Sequence, residues 1–186
     1  EKLIIKNNVT NPNYQIDISF TGLKCEDQYY ENFSQTLDIT ATGSLDTGLE
    51  EISKWYYIWF IMGPGLPAKC IFSTNYTSPV MPTGYTKRKR ISAVYNKSDG
   101  HFQSFIQNDN RVAIPQTVVA SATLTSYSQM TALLTTVPSI AFKIWGLAVV
   151  TSGQGLYICY NTTGELGLTY VSTDQYSYFE AKVVNQ

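Results

Sequence analysis

The sequence holds one histidine, His101, in 186 residues. A histidine-based zinc site needs several, and no cysteine cluster takes their place, so metal chemistry of that kind is excluded. A Ser-His-Asp triad would have to use His101, and no Gly-x-Ser-x-Gly elbow is present to offer a serine nucleophile. Charge is also sparse. Asp, Glu, Lys and Arg make up 15% of the chain, and the net charge is −1. General nucleic-acid binding rests on a basic footprint, which this composition does not supply. No apolar run is long enough to cross a membrane. There is no signal-peptide pattern, and the first residue is Glu1 rather than Met, so a fragment of a longer chain is expected.

Cysteine is scarce too. Cys25, Cys70 and Cys159 are far apart and show no metal-ligand spacing. An odd count does not complete a disulfide framework. Cys70 and Cys159 sit in apolar runs, which predicts buried free thiols acting as small hydrophobes, as suits assembly in a reducing cytoplasm. Glycine pairs such as Gly63-Pro64-Gly65 and Gly153-Gln154-Gly155 lack a phosphate-cradling pattern and read as turns. Five Asn-x-Ser/Thr triplets begin at Asn8, Asn32, Asn75, Asn96 and Asn161. In a chain rich in Asn and Thr they follow from composition unless the host is eukaryotic.

What the chain does have is hydrophobic residues at 44%, enough for a globular core in one domain spanning 1–186. The period is that of strands. Tyr14–Phe20 and Thr36–Thr40 alternate apolar and polar residues. Gly43–Gly48 is a turn. The run Trp55-Tyr56-Tyr57-Ile58-Trp59-Phe60-Ile61-Met62 is apolar on both alternating faces, as in a strand central to a covered sheet or at a subunit contact. Ala68–Ser73 reads as its partner. Pro79, Pro82 and Gly84 form a rigid connection. Ile91–Tyr95 and His101–Gln107 read as a hairpin turning at Asp99-Gly100. Further strands are expected at Thr117–Thr125, Ile140–Val150, Leu156–Asn161, Leu166–Ser172 and Ser177–Val184. The one candidate helical turn is Ser128–Leu134. The expected class is all-β: an antiparallel, jelly-roll-like sandwich with at most one short helical turn.

Three groups of polar or aromatic residues were candidates for chemistry. Lys87-Arg88-Lys89-Arg90 is a local cationic run. It reads as solvated cations on a strand edge or loop, with an anionic partner such as lipopolysaccharide or nucleic acid as the alternative. Glu50-Glu51 and Glu26-Asp27 are adjacent carboxylates. Neighbours on a strand point to opposite faces, so neither pair can flank one glycosidic bond. Asp109, Glu165, Asp174 and Glu180 are scattered. Tyr157, Tyr160, Tyr170, Tyr176 and Tyr178 could line a sugar or receptor site, or pack in a core or subunit interface. His101 is expected as an exposed turn neighbour. No catalytic residue, metal ligand or cofactor is assigned, and ligand-binding residues are not identifiable.

The order of several of these motifs resembles a domain of tail fibres and attachment proteins of tailed bacteriophages. The Gly43-Ser44-Leu45-Asp46-Thr47-Gly48 turn precedes the aromatic strand opened by Trp55-Tyr56. Ser78-Pro79, Pro82-x-Gly84-Tyr85, Arg88, Arg90 and Ile91 follow. Then come the Ser98-Asp99-Gly100 turn and Phe102–Gln107. The match is best over about residues 37–115, with a fainter echo to about 150 that includes Val137-Pro138. The three cysteines and the Tyr- and Asn-rich segment after Leu156 depart from the pattern. The resemblance implies a non-enzymatic virion structural domain, homotrimeric, bound to other virion proteins and assembled in the host cytoplasm. It implies a host-surface glycan or receptor as the outer partner; the charge balance argues against nucleic-acid binding and the short apolar runs against membrane insertion. A lectin-like carbohydrate-binding module is the alternative from another class.

Overall fold

The computed structural model describes residues 2–114 in full and, beyond them, the backbone of strands 143–149, 156–158, 169–171 and 176–182. The chain groups into two compact units, Glu1–Met130 and Thr131–Gln186. No helix occurs among the described residues. The expected strand at Thr117–Thr125 and the helical turn at Ser128–Leu134 lie outside them.

The first unit is an antiparallel β-sandwich. Its strands are β1 (Leu3–Asn7), β2 (Gln15–Cys25), β3 (Gln28–Asp38), β4 (Lys54–Met62), β5 (Lys69–Ser73), β6 (Lys87–Asn96), β7 (Ile106–Asn108) and β8 (Arg111–Ala113). One sheet has the order β3-β2-β1-β7-β8 and the other β5-β4-β6. In the second unit β9 (Lys143–Val149) pairs antiparallel with β12 (Tyr176–Lys182), and β10 (Leu156–Ile158) with β11 (Thr169–Val171).

The aromatic run is β4, at the centre of its sheet. Tyr56, Ile58 and Phe60 face the other sheet and join one buried cluster with Ile5, Ile16 and Ile18. Phe60 is the hub. Its ring meets Phe20 at 5.2 Å, Phe33 at 5.1 Å and Tyr30 at 5.4 Å, all edge-on, the arrangement that ring quadrupoles favour. The opposite face is buried as well, with Trp59 at 5% exposure and Ile61 at 0%. The connection 74–86 runs beside it. The Trp59 indole N–H donates to the Asn75 carbonyl at 3.2 Å, and Tyr57 packs on Tyr76. Thr86 N–H then returns to the Met62 carbonyl. Gly63 is required there, because a Cβ would collide with the Gly84 carbonyl oxygen.

β6 carries a bulge. Ile58 pairs with Ser92 but Trp59 pairs with Arg90, so Ile91 is the extra residue. Without it Arg90 would lie opposite Phe60 on the core face. With it, Arg90 stacks over Trp59 outside the core, and Ile91 is buried within it. Gln107 of β7 reaches the strand at the bulge from the other sheet. Gln107 Nε2 donates to the Ile91 carbonyl at 3.0 Å and to the Asp109 carbonyl at 2.6 Å, and Ser92 Oγ donates to its Oε1 at 2.5 Å. At the opposite side of the sandwich Gln35 of β3 does the same for β5. It accepts from Cys70 N–H at 2.7 Å and donates to the Cys70 carbonyl at 3.4 Å. Two side-chain amides therefore join the sheets at both open flanks.

The hairpin expected between Ile91–Tyr95 and His101–Gln107 is corrected. The chain does turn at Lys97–Gly100, with φ of 74° at Gly100, and Phe102 bridges Asn96. It then leaves for the other sheet, where Ile106 pairs with Lys6. Phe102 and Phe105 are both buried, and residues three apart cannot face the same side of one straight strand. The break between them lets both enter the core, and Asn7 holds it by accepting from Phe105 N–H at 2.7 Å.

Replacing Phe60 with Asp places an unpaired carboxylate in the aromatic core, and loss of soluble, cooperatively melting protein is expected in expression and thermal-melt assays. A milder test concerns the two glutamines. Gln107→Leu strands at least two carbonyls and should cost about 3 kcal/mol, whereas Gln35→Leu, partly solvated, should cost about 1 kcal/mol. Urea midpoints at unchanged slope read both; equal shifts would contradict the clamp role of Gln107.

Candidate functional site

The N-terminal end of β4 gathers three connections: residues 46–53, the turn 97–101 and the turn 11–14. Polar anchors fix them. Buried Asn96, at the end of β6, donates from Nδ2 to Glu50 Oε1 at 2.8 Å and to the Glu51 carbonyl at 3.0 Å. Tyr56 Oη accepts from Glu51 N–H at 2.6 Å, and burial pushes its phenol above the ordinary value. Ser53, at φ 56°, donates its N–H to the Lys97 carbonyl. Phe102 N–H reaches the Asn13 carbonyl.

Held this way, the loop turns aliphatic side chains to solvent. Leu49 is 87% exposed and Ile52 56%. Beside them on the outer face of the sheet the Trp55 and Tyr95 rings lie 5.3 Å apart and tilted by 51°, each partly exposed. His101 is only partly exposed, since its ring meets the edge of Tyr14 at 5.4 Å and its Nδ1 lies 3.5 Å from Asp99 Oδ2. Asp99 is held below the usual carboxylate range, chiefly by its hydrogen bond from Lys97 and further by the His101 N–H. The carboxylates here are already engaged: Glu50 with Asn96, and Glu51 Oε2 with Lys54 Nζ at 3.6 Å. The arrangement suits contact and stacking rather than proton transfer.

The cationic run lies on β6, the edge strand, as its composition predicts. Solvated cations describe it only in part. The pairing after the bulge puts Lys87 opposite Met62 and Lys89 opposite Phe60, on the core side, so these two side chains reach outward along the sheet. Lys87 pairs with Asp27, and Lys89 Nζ donates to the Lys24 carbonyl at 2.7 Å. Arg90 bonds the Tyr76 carbonyl and covers Trp59. The run ties β6 to the β2–β3 turn and to the 74–86 connection. Arg88 is the exposed member, and no partner for its guanidinium is found among the described residues.

Cys25 and Cys70 are buried free thiols, both pushed up by burial. Cys159 lies outside the described residues, as do Tyr160, Asn161, Glu165 and Asp174, and the side chains of Tyr157, Tyr170, Tyr176, Tyr178 and Glu180. Among the described residues no group of three or more His, Cys, Asp or Glu side chains could hold a metal ion. An open depression of about 330 Å³ on the outer face of the five-stranded sheet is lined by Lys2, Ser19, Thr21, Asn32 and Ser34 among others. Asn32 bends β3 there with φ of 54°. Of the asparagine triplets, Asn96 is buried, and the Asn8 amide is spent on the 10–11 turn and Asp17.

No protein-family model, curated protein or solved structure matches the chain.

Acid should weaken the fold through carboxylates. Burial works to raise Asp38, but hydrogen bonds from Gln15 Nε2 and from Thr40 outweigh it and hold the carboxyl below its ordinary value. Asp27 is lowered by Lys87 and Asp99 by Lys97. A depressed native value means the unfolded chain takes up protons first. Their contribution is therefore complete above the unfolded carboxylate value of about 3.9 and is lost as pH falls through and below it. Urea unfolding at pH 7, 5 and 3 should show a plateau, then a decline. Asp38→Asn should flatten that decline; an unchanged acid limb would contradict the role of Asp38.

Proposed function

We propose that this chain is a non-enzymatic structural domain of a tailed-phage fibre or virion appendage, acting in assembly and host attachment. The observation that carries this reading is the loop end. The Gly43–Gly48 turn and the aromatic strand, two of the motifs behind the phage resemblance, together position a loop whose Leu49 and Ile52 face solvent above a rigid sandwich. Exposed aliphatic side chains on a firmly anchored loop are apt for protein or receptor contact. The engagement of Glu50 and Glu51 beside the loop supports a contact role over catalysis. Buried free thiols suit assembly in a reducing cytoplasm. On this reading the chain works as a homotrimer within the virion, joined to other virion proteins.

Light scattering of the purified chain tests the assembly part. A mass three times the 20.8 kDa chain is expected across the micromolar range. A monomer at every concentration would refute the trimer.

A second reading is favoured by the Trp55–Tyr95 pair, whose partly exposed rings could stack on a sugar. A lectin-like module would give saturable binding on a glycan array, abolished by Trp55→Ala. A purely structural appendage domain would give no saturable signal.

A further inference from the structure

We draw no further inference here: the strongest candidate, the exposed apolar pair Val112 and Ile114 at the end of β8, the edge strand of the five-stranded sheet, has no partner among the described residues, and nothing in the structure shows what covers it.

Discussion

A strand with no polar side is the constraint on which the sandwich rests. From Tyr56 to Ile61 every side chain of β4 is buried, so the chain must cover two faces rather than one. It does so by different means. The inner face is met by a sheet whose Ile5, Ile16, Ile18 and Phe20 point toward it. The outer face is flanked by the irregular connection 74–86, pinned by the Trp59 indole, Arg90 and the return of Thr86 to Met62. Each large side chain so buried contributes on the order of 1.5–3 kcal/mol. Phe60, touching three other rings, sits where these contributions concentrate.

The flanks of the smaller sheet are closed with polar groups. Gln35 occupies both backbone groups of Cys70, while the segment 44–46 bonds Phe72. On the other edge Glu26 accepts from Arg88 N–H, Gln107 takes the Ile91 carbonyl, and Gln103 N–H reaches the Tyr95 carbonyl. Unpaired edge groups invite pairing with other chains, and these contacts cover part of both edges. The same economy of charge explains the basic strand. Lys87, Lys89 and Arg90 act as struts between elements, and Arg88 stays exposed.

Much of this was legible in the sequence. Alternation placed β2 from Tyr14–Phe20, and the two-sided apolar run fixed β4 as a central strand. Paired glycines marked the turn at 43–48, where both adopt positive φ. What was not legible follows from non-local causes. β1 is a short apolar stretch whose strand state depends on partners in β2 and in the distant β7. The first half of β3, Gln28–Gln35, is mostly exposed and carries little alternation, so it is a strand because the turn at Glu26-Asp27 brings it back onto β2. The bulge at Ile91 and the departure of Phe102–Phe105 to the other sheet both resolve conflicts between period and burial. The spacing of the two phenylalanines was the available signal for the second. Gln35 and Gln107 look like ordinary surface residues, and only the facing sheet reveals their role. At the site, Trp55 belongs to the legible apolar run, but the exposure of Leu49 and Ile52 depends on anchors from Asn96, Tyr56 and Lys97, which are distant in sequence or on another element.

Native-state hydrogen–deuterium exchange resolved to single amides tests the central claim most directly. The amides of Tyr56 to Ile61 should exchange only through global unfolding, with protection equal to the full unfolding free energy and above that of β8. Exchange of those amides within minutes while the protein remains folded would contradict a two-sided buried strand.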